Sequence, residues 1–268
     1  MKLAASVLLL VVTGSSEGKL PETPDVTAIV QGSVQNTKAD WEAAPEYSFT
    51  EHDLITNHGK RTDKSYEVVM IDGSPYHKLL AINGRQLTPA QTAAENTKLQ
   101  REEARRQKET PGQRQRRIAQ YRKQRHQDQM LMLEMVKAFD FKMVGEDTID
   151  GRRCFELAAT PRPDYRPPTR DTKVLKGMRG TMWIDEEQTQ WVRVQAEVFR
   201  PVAFGLFFVH VRPGTQFLLE QRPVQGNIWL PSHFYTKVNA NVLFFSRQST
   251  DDEAYSQYRK TPQQTAAF

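Results

Sequence analysis

The strongest constraint on the fold is the alternation of apolar and polar residues over residues 178–199. In MRGTMWIDEEQTQWVRVQAEVF, apolar side chains recur at every second position on both sides of a polar segment. A period of two is that of an antiparallel strand with one buried face, whereas a helix needs a period near 3.6. The stretch therefore predicts a β-hairpin with its turn at residues 185–190. In its second strand the expected core face carries Val192, Val194, Ala196 and Val198, with Trp191, Arg193, Gln195 and Glu197 on the opposite face.

The same alternation occurs elsewhere in the chain. Residues 234–244 form one unusually long alternating run, and residues 46–83 form three shorter runs separated by Asn57, Gly59, Asp72 and Gly73. Long strands joined by short turns twist and curl toward a barrel. The predicted fold class is α+β, mainly antiparallel β: a curved, unclosed half-barrel with a helical lid and a long basic helical hairpin as an insert.

The N-terminal residues are typical of a secretory signal peptide. Lys2 is followed by an apolar run over residues 3–12 and then by small and polar residues, an order that predicts cleavage near Ser16. An uncleaved first strand is the alternative. The sequence has a single cysteine, Cys154, so no cysteine is available for lipid attachment after export. We predict a soluble periplasmic protein that is not lipid-anchored, with Cys154 as a buried core residue.

The predicted domain organisation has one folded unit. After the signal peptide at 1–16, residues 17–40 are polar, contain two prolines and are predicted to be a flexible arm. A single β domain follows over 41–260, with a helical insert at 88–138 and a tail at 261–268. The proline-rich residues 161–168 predict an extended surface loop within the domain.

The helical insert carries the basic character of the chain. Thr88, Pro89 and Gln91 predict a helix start, and Pro111 and Gly112 separate two helical segments. Residues 97–125 contain eleven Lys and Arg against three Glu, while the net charge of the whole chain is only +5. Such a segment is either a solvated projection or the contact surface for an anionic membrane or partner. The candidate contact residues are Arg105, Arg106, Arg114, Arg116, Arg117 and Arg122.

No motif supports catalysis or a bound metal. The six histidines show no metal-ligand spacing, and there is no nucleophile elbow, phosphate loop or dinucleotide fingerprint. The basic segment has one interleaved aromatic residue, Tyr121, which argues against a nucleic-acid partner. We therefore predict no enzyme activity, no cofactor and no metal site.

A hydrophobic cavity is the functional alternative to a simple core. A sheet that curls without closing leaves a concave apolar face that side chains, a lid or a ligand must fill. Burying a sixteen-carbon chain there would yield about 13 kcal/mol before association costs. The candidate cavity residues are Phe204, Phe207, Phe208, Met130, Met135, Val194, Val198 and Met182.

These patterns resemble those of the bacterial outer-membrane lipoprotein-sorting and carrier proteins of the LolA and LolB type. The resemblance covers residues 46–259 and is carried by YEVVMIDGSPYHKLLAINGRQL, FDFKMVGEDTIDGRRCFEL, GTMWIDEEQTQWVRVQAEV and GNIWLPSHFYTKV. It implies an unclosed barrel, helices over its mouth and a lipid or lipoprotein acyl chain as ligand.

Two functions remain open at this point. The first is a periplasmic carrier that holds a lipid or acyl chain in an apolar cavity without catalysis. The second is an envelope structural or adaptor protein whose basic hairpin binds an anionic membrane surface or a partner protein.

Overall fold

The computed structural model of the chain describes residues 24–204, 209–242 and 245–261. Three α-helices lie in this part: α1 (Val26–Ala43), α2 (Pro89–Gln107) and α3 (Pro111–Ala138). Its strands are β1 (Tyr47–Asn57), β2 (Lys60–Ile71), β3 (Ser74–Ile82), β4 (Arg85–Gln86), β5 (Phe139–Ile149), β6 (Arg152–Pro161), β7 (Met178–Asp185), β8 (Trp191–Val198), β9 (Val202–Phe204), β10 (Val209–Val211), β11 (Gln216–Gln225), β12 (Ile228–Val242) and β13 (Phe245–Lys260). Short 3-10 helices cover Ala44–Glu46 and Asp171–Gly177.

The strands form one antiparallel sheet that curves without closing. Its order is β4-β3-β2-β1-β13-β12-β11-β8-β7-β6-β5, and the small hairpin β9–β10 is attached to β12. β4 and β5 end the two edges and do not pair with each other. The first and last long strands, β1 and β13, lie side by side in the middle of the sheet. The predicted half-barrel with helices over one face is confirmed.

Paired positive-φ residues explain the tight hairpins. The turns contain His58–Gly59, Asp72–Gly73, Asn83–Gly84 and Asp150–Gly151, and φ is positive at both residues of each pair, for example 44° at Asp72 and 86° at Gly73. Two such residues give the type I′ turn, whose twist matches that of the flanking strands. The predicted succession of hairpins over residues 46–83 follows from this turn chemistry.

The hairpin β7–β8 is present, but a bulge changes one of its predicted faces. The register shifts so that Trp183 pairs with Arg193 while Ile184 pairs with Trp191. Trp191 therefore joins the face of Val194, and Val192 lies on the opposite face. The prediction that Val192 shares a face with Val194 is wrong, because one extra residue in a strand reverses the alternation locally.

Helix α2 begins as the sequence predicts, whereas α3 begins earlier than predicted, because Pro111 and Gly112 form its first turn. Thr88 and Thr110 each accept a hydrogen bond from the backbone N–H three residues on, and the side-chain oxygens of Gln91 and Gln113 accept from the N–H of the cap residue. These reciprocal capping boxes stabilise the starts of the two helices.

Helix α1 corrects the prediction of a flexible arm over residues 17–40. Asp25 caps the helix by accepting from the N–H groups of Thr27 and Ala28, and the helix runs to Ala43. Val26, Ile29, Val30 and Val34 recur at helical spacing, but polar Ser33 and Thr37 interrupt the stripe and conceal the period.

Candidate functional site

The face of the sheet beneath α1 and α3, termed the inner face, changes from apolar to acidic along a single row of cross-strand partners. Directly opposed residues in antiparallel strands point to the same side, so the row can be followed from strand to strand. It runs through Leu157, Met182, Val194, Leu219, Phe234, Glu253, Asp53 and Lys64. The half on β5–β8, β11 and β12 is the apolar half, and the half on β1–β3 and β13 is the acidic half.

The apolar half is filled by helices rather than by a second sheet. Leu157 and Ile184 are fully buried, and Met182 and Val194 are 2% and 5% exposed. Val30 of α1 belongs to the same buried cluster, and Met132 and Met135 of α3 pack against it. Burial of this size is a main source of the free energy that holds the helices on the sheet.

Helix α1 meets this apolar surface with a mostly polar stripe. Its buried residues are Val30, Ser33, Thr37 and Asp40. The indole N–H of Trp191 donates to Ser33 Oγ at 2.9 Å, and the backbone N–H of Trp229 donates to Asp40 Oδ1 at 2.9 Å. Thr37 Oγ1 and Asp40 Oδ2 are buried without a hydrogen-bond partner among the described residues. Val26, Ile29 and Val34 of α1 also pack against the apolar cluster, so the helix contacts this face through both apolar and polar side chains.

Helices α1 and α3 leave a small gap above Trp191. The gap has a volume of about 10 Å³ and is lined by Val34, Thr37, Lys38, Gln129, Met132, Leu133 and Trp191. Its size is close to that of one water molecule. It lies along the seam where the two helices would have to separate to expose the sheet.

The predicted cavity residues fall into three groups. Met182 and Val194 lie in the buried cluster beneath α1, with Met135 packed against it, and Val198 is buried opposite Met178 on the same face. Met130 is half-buried on α3 and belongs to none of the buried clusters that the described residues form. Phe207 and Phe208 lie outside the described residues, and Phe204 is placed only by its backbone pairing with Val209. Trp191, Ser33 and Asp40 were not among the predicted site residues.

The acidic half brings together four carboxyl groups from the two ends of the chain. Asp53 lies opposite Glu253, and Glu51 and Asp251 are their neighbours on the same face. Burial, together with the adjacent Asp53, raises the pKa of Glu51 to about 8. Burial also raises the pKa of Asp251 and of Glu253. His77 Nε2 lies 3.7 Å from Glu51, and Tyr255 donates a hydrogen bond to Glu253. This half is unsuited to a hydrocarbon chain.

Two of the predicted anionic-contact residues of the basic hairpin, Arg106 and Arg117, are instead bound within the protein. Arg106 is 5% exposed, and its Nη1 donates to the carbonyl oxygens of Ile71 at 2.7 Å and Ser74 at 2.8 Å. Arg117 donates to Asp72 O at 3.2 Å and pairs with Glu109 at 2.6 Å. Arg105, which is exposed, pairs with Glu102 at 2.7 Å. The guanidinium groups of Arg106 and Arg117 thus anchor the hairpin to the β2–β3 turn, because their forked donors match the free carbonyls there.

A second set of cations on α3 remains unpaired. Arg114, Arg116 and Arg122 are exposed, and neither they nor Lys123 form an ion pair with any residue that the structure describes. An open groove of about 800 Å³ runs along this side of the helix and is lined by Glu109, Pro111, Arg114, Gln115, Ile118, Ala119, Arg122, Lys123 and His126. The term basic face of α3 is used below for Arg114, Arg122 and Lys123.

The potential metal ligands and the single cysteine can be located among the described residues. Within those ranges no three His, Cys, Asp or Glu side chains are grouped so as to hold a metal ion. Cys154 is completely buried, and burial raises the pKa of its thiol to about 11, so it packs as a core residue. None of the described helices is long and apolar enough to span a bilayer.

Comparison with known proteins gives matches among solved structures alone. No family model matches the sequence, and no curated protein matches it. A DUF1329 family protein from Desulfovibrio piger is 12% identical with a TM-score of 0.36, and 92% of this chain and 95% of that one are covered. A putative outer membrane lipoprotein-sorting protein domain from Vibrio parahaemolyticus is 9% identical with a TM-score of 0.34, and the coverage is 89% and 94%. A LolA superfamily protein from Nitrosomonas europaea is 10% identical with a TM-score of 0.28, and the coverage is 84% and 94%.

Proposed function

We propose that the protein is an exported, soluble carrier that binds a lipid or lipoprotein acyl chain against the apolar half of the inner face, without catalysis. The observation that supports this proposal is the combination of a continuous apolar face on an unclosed sheet with a covering helix whose buried stripe is mostly polar. Where α1 presents the buried polar side chains of Ser33, Thr37 and Asp40, an acyl chain would present only apolar atoms. In this proposal the ligand takes the place of α1 beside Met182 and Val194, and Met135 of α3 adapts to it.

The displacement of α1 can be tested with a reversible cross-link. A Cβ built on Gly32 of α1 lies 3.3 Å from Cγ2 of Thr189 in the β7–β8 turn, a separation that a disulfide can span. The sole native cysteine, Cys154, is buried and does not compete. We expect reduced Gly32→Cys/Thr189→Cys to bind 11-(dansylamino)undecanoic acid, and the oxidised form to bind it at least about tenfold more weakly, because a covalently held α1 keeps the face covered.

Probe binding is compared between the oxidised and reduced forms of the double variant. The single variant Gly32→Cys, treated in the same way, measures any effect of the oxidant itself. If the reduced double variant and the wild-type protein both leave the probe unbound, the carrier proposal is wrong. Equal binding by the oxidised and reduced forms would show that α1 is not what the ligand displaces.

A second candidate function is contact with an anionic membrane surface through the basic face of α3. The supporting observation is that Arg114, Arg122 and Lys123 lack ion pairs among the described residues, while Arg105, Arg106 and Arg117 are engaged within the protein. Cations near an anionic bilayer contribute about 1 kcal/mol each. This contact would also serve a carrier, since it would bring α3 and the seam beside it to the lipid headgroups.

The membrane contact predicts a specific loss on charge removal. We expect Arg114→Gln/Arg122→Gln/Lys123→Gln to lower affinity for phosphatidylglycerol-containing vesicles by roughly 100-fold in co-sedimentation at low salt. The control variant Arg166→Gln/Arg170→Gln/Lys173→Gln removes the same charge from another exposed surface. Equal losses in both variants would indicate a general charge effect and would contradict a contact at α3.

A further inference from the structure

Asp40 makes a buried polar contact between α1 and the sheet. It is 2% exposed and lies near the end of the helix. Its Oδ1 accepts the backbone N–H of Trp229, the second residue of β12, at 2.9 Å. Trp229 is itself fully buried, and its indole N–H donates to Gln188 Oε1 at 2.8 Å. Asp40 therefore joins the helix to a rigid part of the core.

The second carboxyl oxygen of Asp40 lies in a place where acceptors lack donors. Asp40 Oδ2 and Gln190 Oε1 are both buried without a hydrogen-bond partner among the described protein groups, and Gln190 is 2% exposed. The amide nitrogen of Gln190 donates to Asn227 O at 3.0 Å, which fixes the orientation of that amide. An ionised Asp40 therefore keeps a charged oxygen buried without a full hydrogen-bond donor, and a proton on the carboxyl group removes that cost.

Charged groups on the surrounding elements are engaged with other residues. The pKa of Asp40 is shifted by burial, by the N–H of Trp229 and by the side chain of Gln190, and not by the charges of these groups. These groups are Lys38 with Glu42 on α1, Arg125 with Trp41, Asp128 with Gln124, and Glu134 with Lys137 on α3, Glu46 with Lys260 after α1, Asp140 with Arg162 on β5, Asp185 with Arg152 beside β8, and His233 with Asp252 on β12.

We infer that Asp40 is a proton-operated latch: α1 is held on the sheet most firmly while the buried carboxyl group carries a proton, and ionisation of that group loosens the helix. The latch concerns only the docking of α1 on the sheet. It goes beyond the proposed carrier function, because it would operate in the same way whichever ligand the uncovered face accepts. Its chemistry is a single proton transfer between the carboxyl group and solvent.

The direction of the pH effect follows from the sign of the shift. Burial raises the pKa of Asp40 from 3.8 to about 6, against smaller opposing effects of Trp229 and Gln190. A raised carboxyl pKa means that docking is strongest below the undocked value and weakens as pH rises through the docked value. Two-state linkage with these values makes the opening of α1 about tenfold more frequent at pH 7.5 than at pH 5.

Hydrogen exchange measures this opening in the full-length protein. We expect amides of Val30–Asp40 to lose about tenfold in protection between pH 5 and pH 7.5, after correction for intrinsic exchange rates and relative to amides of β6. In Asp40→Asn the same amides should show no such change, because an asparagine side chain does not ionise.

The control Glu42→Gln removes an exposed carboxyl group two residues further along α1 and should retain the wild-type pH dependence. If the protection of the α1 amides in the wild-type protein is the same at pH 5 and pH 7.5, the latch is wrong, regardless of the result for Asp40→Asn. An Asp40→Asn variant that keeps the tenfold change would overturn it equally. Since acyl binding is not part of the readout, these results are independent of the carrier proposal.

Discussion

Replacing Arg106 with methionine is expected to lower the free energy of unfolding by about 3–5 kcal/mol, the usual cost of removing one partner from a buried charged network. The side chain is 5% exposed and donates to Ile71 O, Ser74 O, Ser74 Oγ and Pro75 O, while its Nε pairs with Glu102 at 2.6 Å. Methionine fills much of the same volume but leaves those acceptors without donors.

Urea unfolding followed by tryptophan fluorescence measures the loss, and two variants identify its cause. Arg105→Met removes an exposed neighbour that pairs with the same Glu102, and we expect its unfolding midpoint to stay close to that of the wild-type protein. Arg106→Lys keeps the charge but not the forked geometry, so its stability should lie between those of the wild-type protein and Arg106→Met. Equal destabilisation by Arg105→Met and Arg106→Met would show that charge on the helix, and not the bonds to the turn, stabilises the hairpin.

The docking of Arg106 shows where sequence reasoning about the basic hairpin reached its limit. Counting arginines correctly predicts a charged segment, but a residue count cannot distinguish Arg106, which is buried, from Arg114, which is exposed. What separates them is the helical phase relative to the β2–β3 turn, which presents the carbonyl oxygens of Ile71 and Ser74. That phase depends on how the hairpin packs on the sheet, which is a tertiary property.

Local signals in the sequence were sufficient for most of the sheet. Alternation and Xaa-Gly turn pairs predicted the hairpins, and the cap at Thr88 predicted the start of α2, because each of these depends on neighbouring residues only. The cap at Thr110 was missed, since Pro111 and Gly112 were interpreted as a break between the helices. Helix α1 escaped prediction because Ser33, Thr37 and Asp40 occupy the positions where a buried stripe would be apolar. The same buried polar residues are the basis of the proposal that a ligand displaces α1.

The pairing of the first and last long strands could not be predicted from local pattern. Asp53 and Glu253 are 200 residues apart, and nothing in either strand specifies the other as its partner. In sequence, each carboxylate has the appearance of a solvated residue on an ordinary strand. The structure instead places Glu51, Asp53, Asp251 and Glu253 together, so the inner face that was expected to be apolar throughout is acidic over one half.

This arrangement predicts a large pH effect from one substitution. Burial and the neighbouring Asp53 raise the pKa of Glu51 from 4.5 to about 8, and its side chain is 13% exposed. A carboxyl group with a raised pKa destabilises the folded state as pH rises from its unfolded value through its folded value. We expect Glu51→Gln to match the wild-type protein at pH 4 and to exceed its free energy of unfolding by on the order of 3 kcal/mol at pH 8.5.

Urea titrations at the two pH values test this, with Glu187→Gln as the control, since Glu187 is exposed in the β7–β8 turn. A Glu51→Gln protein that is no more stable than wild type at pH 8.5 would mean that all four carboxylates ionise freely in water. In that case the acidic half would be an open, hydrated surface. If the predicted gain is found, the carboxyl groups are packed closely enough to hold protons. A hydrocarbon chain would then be confined to the half beneath α1, where Met182 and Val194 lie.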